Sequence, residues 1–325
     1  MNSQPALSVV MPILNEERHL ESAVERVFNQ DYSGQVELIL ALGPSADRTN
    51  EIAVKLAQKF SSIKLINNPS GKTPTALNLA IAQASHEIIV RLDGHALIER
   101  DYLKIAVETL QETNADNVGG IMDAQGTTDF ERAVARAMTS KFGVGNAPFH
   151  VGGKAGEALT VYLGVFQKKV FEKIGLFNED FVRAQDWELN YRIRASGGKI
   201  WFNPKLKVTY RPRANLAALA KQYFQYGQGR RRIVNNYKQS LSFRYLTPPF
   251  TVLGLLVGII FALIGWIWQI EILQLGAIAP LVYLVAVLLF SGLGSKGLTL
   301  KSTLYLPAVF ICMHICWGVG FLKRL

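Results

Sequence analysis

Cysteine is scarce in this chain of 325 residues, which contains only Cys312 and Cys316. Both lie in an apolar C-terminal stretch, with His314 between them. Positions i and i+4 share a helix face, but two thiols inside a lipid-spanning helix do not make a zinc site. Two cysteines are also too few for the disulfide framework of a small secreted domain. The sequence therefore excludes a disulfide scaffold.

Acidic residues are missing from one long block of the chain. The block from Leu189 to Ile270 holds 13 Lys or Arg and no Asp or Glu, whereas the remainder holds 22 basic and 25 acidic residues. The net charge of +10 therefore lies wholly in this block, directly before the most apolar part of the chain. Cations beside a membrane are attracted to anionic lipid by about 1 kcal/mol each. Nucleic acid is the alternative partner, but the adjoining apolar runs favour a lipid bilayer and no nucleic acid.

Two further patterns are absent. Residues 1–6 carry no basic segment followed by an apolar core, so we expect no cleaved signal peptide and a cytoplasmic first domain. Gly71-Lys72-Thr73 looks like the end of a P-loop, but that motif needs a glycine where Ile66 stands. A P-loop ATPase is excluded. Lys72 is still a candidate phosphate ligand, with a solvated loop lysine as an equal alternative.

Short apolar runs and amphipathic segments alternate over the first 210 residues. This alternation predicts an α/β fold with a parallel sheet and helices on both faces. The predicted strands are Leu7–Leu14, Val36–Leu42, Ile63–Ile66, Ile88–Leu92, Asn117–Met122 and Thr160–Phe166, with an edge pair at Ile200–Phe202 and Val208–Tyr210. The predicted helices are Asn15–Gln30, Arg48–Phe60, Thr73–Ala84, Asp101–Thr113, Val170–Ile174 and Leu189–Ala195. After Asp123 the pattern loosens, and the glycine-rich stretch 142–157 is interpreted as a functional or mobile loop.

The strand that begins at Ile88 ends on Asp93, Gly94 and His95. Ligands of open α/β sheets bind outside the carboxyl ends of the strands. A carboxylate and an imidazole at positions i and i+2 suit Mn²⁺ or a similar divalent ion. From spacing alone, a solvated turn is an equally good interpretation.

The C-terminal part has the pattern of a membrane anchor. Residues 215–237 predict a basic amphipathic helix that lies in the membrane interface, although Gly227 and Gly229 weaken its middle. Three apolar runs follow at 246–268, 272–293 and 303–322, each long enough to span a bilayer. Lys296 and Lys301 would lie on the inner side, as the positive-inside rule expects. Lys323 and the following arginine would then lie outside, so one run is alternatively re-entrant or at the surface.

Four motifs in order resemble those of the family 2 glycosyltransferases, which are inverting enzymes with a GT-A fold. The branch that the chain resembles most is the membrane-anchored one, similar to succinoglycan and other exopolysaccharide glycosyltransferases. The resemblance implies a GT-A (nucleotide-diphospho-sugar transferase, Rossmann-like mixed sheet) domain followed by transmembrane helices. We expect a catalytic domain at 1–213, a basic amphipathic region at 214–245 and about three helices at 246–325.

The first two motifs concern the nucleotide. The run Pro12-Ile13-Leu14-Asn15-Glu16-Glu17 matches the family's opening motif, with Leu14 in place of an aromatic residue. The resemblance implies that this turn contacts the nucleotide and that Glu16 is the carboxylate that meets it. Asn15 has the alternative role of a helix N-cap. Asp47 belongs to the second motif, in which Leu42 stands where an Asp usually binds the base. The choice between a UDP- and a GDP-sugar is therefore open.

Asp93-Gly94-His95 matches the family's Asp-x-Asp motif, with His95 for the second acid. The resemblance implies that Asp93 and His95 bind a divalent cation, Mn or Mg, on the donor diphosphate. Gln185-Asp186-Trp187-Glu188 matches the Glu-Asp motif, with Gln185 for the Glu. Asp186 would then be the catalytic general base, with a helix N-cap as its structural alternative, and Glu188 would support the site.

The run Gln228-Gly229-Arg230-Arg231-Arg232 lies where processive synthases carry Gln-x-x-Arg-Trp. Arg231 matches the Arg and is a candidate ligand of the diphosphate, as is Arg230, because a guanidinium binds phosphate through a planar fork. Contact with lipid headgroups is the equal alternative. Arg232 replaces the Trp, which argues against processivity.

The resemblance implies a membrane-anchored enzyme that transfers a sugar from a nucleotide sugar to a polyprenyl-linked or glycan acceptor. We expect a multi-pass protein of the inner membrane with its catalytic domain in the cytoplasm, acting in exopolysaccharide or cell-envelope glycan synthesis. Three alternatives are a polyprenyl-phosphate sugar transferase, a processive synthase, and a non-catalytic membrane scaffold that kept the fold.

Overall fold

A computed structural model describes residues 4–323 of the chain and separates them into two units. The first unit comprises the chain up to Asp123 together with Ala147–Tyr210. The second comprises Ala124–Asn146 and the chain from Arg211 onward. The second unit thus includes a segment from the middle of the chain as well as the apolar C-terminal part.

The first unit is built on a mixed sheet, which within the described residues has nine strands in the order β3-β2-β1-β4-β8-β6-β9-β5, with β7 beside β9. The strands are β1 (Leu7–Ile13), β2 (Val36–Leu42), β3 (Ile63–Asn67), β4 (Ile88–Arg91), β5 (Leu97–Ile98), β6 (Asn117–Ala124), β7 (Gly156–Glu157), β8 (Tyr162–Gln167) and β9 (Ile200–Tyr210). The first four strands are parallel, and β8 turns the sheet antiparallel beside β4. The predicted parallel sheet is correct for those four strands and wrong for the rest.

Helices cover the sheet of the first unit and make up most of the second. They are α1 (Leu20–Phe28), α2 (Thr49–Lys59), α3 (Thr73–Ala82), α4 (Tyr102–Thr113), α5 (Asp129–Met138), α6 (Lys141–Val144), α7 (Pro148–Val151), α8 (Lys169–Ile174), α9 (Gln185–Ala195), α10 (Leu216–Asn236), α11 (Phe243–Ile267), α12 (Glu271–Gln274), α13 (Ile278–Leu293) and α14 (Leu300–Leu322).

The alternation of side chains along β1 divides the apolar core of the first unit between two faces. Leu7, Val9 and Met11 point into a cluster with α1 and α4, whereas Val10 points into a second cluster with α3 and α9. Successive side chains of a strand point to opposite faces, so a strand covered on both sides is apolar throughout. This explains why β1, β2 and β4 are mainly apolar on both faces, with Ser8, Glu37 and Arg91 as buried polar exceptions.

Two elements, one in each unit, differ from the sequence-based interpretation. The edge pair is a single strand, Ile200–Tyr210, although it contains Pro204, which normally interrupts a strand. Pairing of β7 with its first half and of β5 with its last residues holds it extended. The second case is α5, which the pattern did not predict. Its N-terminus carries a capping box, in which Thr128 and Glu131 bond each other's backbone N–H, and that signal was present in the sequence.

In the second unit, three helical stretches within the described residues are long and apolar enough to cross a membrane. They are Phe243–Ile267, Glu271–Leu293 and Leu300–Leu322, close to the three predicted runs. The third packs most extensively against α10. The sequence predicts that Gly227 and Gly229 weaken α10, but Gly227 lies where α10 and α14 approach backbone to backbone, with no room for a Cβ beside the Trp317 carbonyl.

Arg230 has a structural position in α10. Its side chain is buried, it donates a hydrogen bond to the Ser240 carbonyl, and its guanidinium lies 3.6 Å from the ring centroid of Tyr245. A guanidinium stacked on an aromatic face gains cation–π energy. These contacts account for Arg230 without a phosphate.

A buried carboxylate gives the first unit a pH-dependent stability. Burial raises the pKa of Glu37, but hydrogen bonds from Lys64, Ser8 and the Ser85 amide outweigh it and lower that pKa to about 2. Because the folded pKa is depressed, the stabilisation is present above the ordinary value of 4.5 and is lost as pH falls toward 2. The depression corresponds to about 3 kcal/mol at neutral pH.

Glu37→Gln is therefore expected to lower the melting temperature at pH 7 by several degrees. The difference from wild type should shrink as the pH falls from about 4.5 toward 2, because unfolded wild type then binds a proton at Glu37 that the folded protein does not yet bind. Thermal scans of the detergent-solubilised protein between pH 3 and 7 measure this. A difference that is the same at every pH would contradict the assignment of the effect to the Glu37 charge.

Candidate active site

The turn after β1 brings together the first two sequence motifs. Asn15 adopts a left-handed backbone conformation, with φ of 56°. Its side-chain oxygen accepts a hydrogen bond of 2.8 Å from the Ala46 amide, and its own N–H donates to the Ser45 hydroxyl at 3.0 Å. The expected N-cap role of Asn15 is wrong, because α1 begins only at Leu20, with His19 in the N-cap position. Asn15 instead ties the turn after β1 to the turn after β2.

Asp47 strengthens the same connection. Its carboxylate accepts hydrogen bonds from the hydroxyl and the amide of Thr49 and from the amide of Glu17, and these bonds lower its pKa. The Thr49 hydroxyl also accepts from the Glu16 amide at 2.7 Å. Asp47 thus holds the N-terminus of α2 and the Glu16 turn in one arrangement.

The carboxyl ends of β1 and β2 carry apolar residues, and one of them, Leu42, stands where the family usually has an acid. Leu14 is partly exposed and lies against Gly43 and Gly71, and Pro12 lies within β1 opposite Ala41. Leu42 ends β2, and its carbonyl accepts from the Asn68 amide at 2.8 Å. A base bound here would meet an aliphatic surface at the position of Leu42.

The turn after β4 contacts the turn after β1. The His95 Nδ1 atom lies 2.7 Å from the Glu16 Oε1 atom, a distance at which the two share a hydrogen. Gly94 permits this approach: a Cβ there would lie 2.8 Å from the Ile13 Cδ1 atom and 2.9 Å from the Glu16 Cγ atom. The sequence-predicted residues Glu16, Asp93 and His95 are therefore gathered at the carboxyl ends of β1 and β4.

Arg91 is a site residue that the sequence reasoning did not identify. It ends β4 and is almost completely buried, yet its guanidinium pairs with two carboxylates. The Arg91 Nη2 atom lies 3.3 Å from the Asp93 Oδ1 atom, and Nη1 contacts the Asp186 Oδ1 atom. An arginine inside an apolar strand was the available signal, because buried charges are paired.

Asp186 lies in the first turn of α9, not at its cap. Ala184 occupies the N-cap position in a left-handed conformation with φ of 64°, and the helix begins at Gln185. The N-cap alternative for Asp186 is therefore wrong. The position leaves its carboxylate at the N-terminus of a helix, where negative charge is favoured, and in contact with Arg91.

Two buried contacts fix α9 beneath Asp186. Glu188 is fully buried and accepts from Arg192 at 2.8 and 2.9 Å, and Arg192 also donates to the carbonyls of Ile174 and Leu176. Glu188 thus supports the site by anchoring the helix. One turn after Asp186, the Asn190 amide accepts from the Asn117 amide of β6 at 2.7 Å.

Lys72 and Arg231 are the last two candidates, and each has its own local contacts. Lys72 occupies the N-cap position of α3. Hydrogen bonds from Thr75 and Asn78 lower the pKa of Glu179, and the charge of Lys72 adds to this effect. Arg231 lies in the second unit, with its guanidinium 5.4 Å from the ring centroid of Phe321.

The side chains at the carboxyl ends of β1 and β4 suit a divalent cation that a diphosphate binds at the same time. Asp93 and Glu16 offer carboxylate oxygens and His95 an imidazole, a mixture that Mn²⁺ accepts. In the described part of the chain, however, no three His, Cys, Asp or Glu side chains are grouped closely enough to hold a metal ion by themselves. Ions such as Mg²⁺ are commonly held by one or two carboxylates together with substrate phosphates, and the residues present fit that arrangement.

A mixed sheet with loops at the carboxyl ends of its parallel strands, and a separate carboxylate on a following helix, define a nucleotide-sugar-transferase type of domain. The chain belongs to the family described as glycosyl transferase family 2, whose model matches residues 8–175. The protein is a glycosyltransferase, and the predicted family is confirmed.

Relatives similar over nearly the whole chain include two named proteins. "Succinoglycan biosynthesis protein ExoA" of Rhizobium meliloti (strain 1021) is 30% identical over 319 residues, which cover 98% of this chain and 94% of that protein. "Dolichyl N-acetyl-alpha-D-glucosaminyl phosphate 3-beta-D-2,3-diacetamido-2,3-dideoxy-beta-D-glucuronosyltransferase" of Methanococcus voltae is 26% identical over 332 residues, covering 98% of this chain and 97% of that protein. The predicted similarity to exopolysaccharide enzymes is confirmed.

A solved structure agrees with the fold. The "Mannosyltransferase PcManGT from Pyrobaculum calidifontis in complex with GDP-Man and Mn2+" has a TM-score of 0.61 and 19% identity, and the match covers 99% of this chain and 88% of that one. The predicted fold, a GT-A domain followed by apolar helices that are long enough to span a membrane, is confirmed.

Proposed function

We propose that this protein is a membrane-anchored inverting glycosyltransferase. It transfers a sugar from a nucleotide sugar to a polyprenyl-linked sugar or a growing polysaccharide at the cytoplasmic face of the inner membrane. The observation that carries the proposal is the pairing of Asp93, at the end of β4, and Asp186, at the start of α9, with one buried arginine. A single displacement requires two carboxylates at one site. One binds the cation on the donor diphosphate, and the other takes the proton of the acceptor hydroxyl.

Asp186 is the general base in this proposal. It takes the proton of the acceptor hydroxyl while that oxygen attacks the anomeric carbon from the face opposite the diphosphate. The new bond from oxygen to the anomeric carbon forms as the bond to the diphosphate oxygen breaks. The nucleoside diphosphate leaves, and the configuration inverts.

Asp93 and His95 hold a divalent cation, Mn or Mg, on the donor diphosphate. When bound, such an ion neutralises the charge that develops on the leaving diphosphate. The contact of His95 with Glu16 at 2.7 Å fixes the imidazole ring, because the partner of one ring nitrogen sets which lone pair faces the ion. The likeness to a fold crystallised with Mn2+ and GDP-Man supports this role.

The donor is a UDP- or GDP-sugar. Pro12, Leu14, Asn15 and Glu16 form the nucleotide side of the site, with Asp47 holding their turn in place. Lys72, at the N-terminus of α3, and Arg231, on α10, provide positive charge for the diphosphate. Phosphate binding by basic side chains and helix N-termini is general.

The membrane arrangement follows the charge pattern. The catalytic domain comprises residues 1–213, the basic region 214–245 lies at the membrane surface, and residues 246–325 provide three spans. Lys296 and Lys301, in the second connection, then lie on the cytoplasmic side. The relatives support this assignment, since one is named for succinoglycan biosynthesis and the other for a dolichyl-linked sugar phosphate.

The test uses the purified full-length protein in detergent with Mn²⁺ or Mg²⁺. UDP-, GDP- and dTDP-sugars are screened for slow hydrolysis by wild type and Asp93→Ala. We expect cation-dependent turnover of one donor and a loss of at least about tenfold in Asp93→Ala, since one cation ligand is removed. Asp101→Ala is the matched control, because Asp101 is an exposed acid at the start of α4.

Each outcome of this screen has a definite meaning. Equal turnover by wild type and Asp93→Ala would contradict the cation role. Absence of turnover and of nucleotide binding under every condition would support the scaffold alternative. With membrane lipid extract added, a product in which one sugar is joined directly to a lipid phosphate would identify a polyprenyl-phosphate sugar transferase instead.

A further inference from the structure

Arg91 is placed by the strand that ends on it. It belongs to β4, with Val10 of β1 on one side and Gly164 of β8 on the other. Side chains alternate along a strand, so Arg91 points to the same face as Ile89, the face covered by α3 and α9. Its side chain is 4% exposed. A charge buried to this degree on a central strand is costly unless it is paired.

The guanidinium divides its two terminal nitrogens between two different carboxylates. Nη2 lies 3.3 Å from the Asp93 Oδ1 atom, and Nη1 contacts the Asp186 Oδ1 atom. A guanidinium is planar and rigid, so its donors hold their partners at a set separation and angle. The two carboxylates are thereby connected through one guanidinium, although they lie far apart in the sequence.

An aromatic ring lies near the guanidinium as well. The Arg91 guanidinium carbon lies 5.8 Å from the ring centroid of Phe177. Asn78 of α3 fixes the Phe177 backbone by two hydrogen bonds of 2.9 Å, one donated to its carbonyl and one accepted from its amide. The position of Arg91 is therefore determined by the fold around it and does not depend on a ligand.

Each carboxylate keeps one oxygen away from Arg91. The Asp186 Oδ1 atom is buried, yet the Asp186 side chain is 30% exposed, so the exposed surface lies on its other atoms. The Asp93 side chain is 24% exposed. In each carboxylate, the oxygen that does not contact Arg91 is thus the one that can contact a ligand.

We infer that Arg91 is a positioning residue that holds the base Asp186 and the cation ligand Asp93 at one fixed spacing, each with its outer oxygen toward the substrates. The inference rests on the proposed function for the meaning of that spacing. It adds a third charged group that links the donor side of the reaction to the acceptor side. Arg91 contacts neither substrate.

The positive charge of Arg91 beside Asp93 should also weaken cation binding, and this effect can be measured without a sugar substrate. Arg91 and a divalent cation both interact with the Asp93 carboxylate, so they repel each other and share its charge. At an effective dielectric constant of about 20 to 40, one unit charge some 5 Å away changes a binding constant by about tenfold or more. Removing the charge should tighten cation binding while it disrupts the spacing needed for transfer.

The experiment compares Arg91→Met, Arg91→Lys and wild type as full-length proteins in detergent. Binding of Mn²⁺, alone and with UDP or GDP present, is followed by the EPR signal of the free ion, and kcat and KM are measured with the donor found in the screen. Arg91→Met should bind Mn²⁺ at least about threefold more tightly and lose at least about 100-fold in kcat, with the donor KM changed by less than about threefold. Arg91→Lys keeps the charge but not the fork, so its Mn²⁺ affinity should stay within about twofold and its kcat should be intermediate.

Arg100→Met is the control, because Arg100 is an exposed arginine whose side chain is 71% accessible. A variant that merely fails to fold would bind Mn²⁺ less well and melt earlier, so tighter binding with lower kcat separates positioning from damage. Equal or weaker Mn²⁺ binding by Arg91→Met, or no binding by any of the proteins, would overturn the inference. If wild type neither binds nor turns over any donor, the proposed function fails, and the Mn²⁺ comparison still decides whether Arg91 shares Asp93 with a cation.

Discussion

Asp186→Asn is expected to lower the rate of sugar transfer by about 10²–10⁴-fold, the usual contribution of a general base. The amide has the same size as the carboxylate but cannot accept the proton of the acceptor hydroxyl. Binding of the donor should change little, because the nucleotide side of the site is built from the turns after β1 and β2. The expected result is therefore a loss in kcat with an almost unchanged donor KM.

The fold should tolerate this substitution, because Arg91 keeps its ion pair with Asp93 and the new amide still offers an oxygen to the guanidinium. The α9 helix is anchored below Asp186 by the Glu188–Arg192 pair and by the Asn190–Asn117 hydrogen bond, and neither involves the Asp186 carboxylate. Transfer assays with donor and a membrane lipid extract measure kcat, and thermal scans verify folding. Asp101→Asn, an exposed acid in the first unit, is the matched control. Transfer by Asp186→Asn within about threefold of wild type would rule out Asp186 as the base.

Gly227→Val is expected to prevent the second unit from assembling. A Cβ on Gly227 would overlap the Trp317 carbonyl and lie 2.8 Å from the Phe321 amide nitrogen, both of them backbone atoms of α14. The contact is reciprocal, since a Cβ on Gly320 would overlap the Phe224 carbonyl of α10. Small residues at helix crossings allow this close approach, so α10 and α14 must separate to accommodate valine.

The measurement is the yield of monodisperse protein after extraction in mild detergent, together with its melting temperature. We expect little or no folded Gly227→Val. Gly254→Val is the control, because Gly254 lies in the apolar helix α11 and has open space around the position of its Cβ. Normal yield and melting temperature for Gly227→Val would show that the α10–α14 contact is not tightly packed.

Much of the sheet could be predicted because its signals are local. The apolar runs that became β1, β2 and β4 are buried on both faces, and their short length with flanking turns distinguishes them from helices. The capping box before α5 was a local signal as well and was overlooked, because the residues after Asp123 lack an apolar period. The fused strand β9 was not predictable in this way, since its continuity depends on partners at both ends.

The sequence by itself determined the family, the strand that ends on Asp93 and the three apolar stretches, because motif order, period and length are properties of neighbouring residues. Only the tertiary structure decided that Arg91 joins Asp93 to Asp186, that Asn15 bonds the turn after β2 instead of capping a helix, and that Gly227 is a packing contact. The physical reason is that each of these depends on which segments the folded chain brings together. An arginine inside an apolar strand marks a buried charge, but its partner Asp186, the partner of Asn15 and the backbone that faces Gly227 lie dozens of residues away, and no local pattern identifies them.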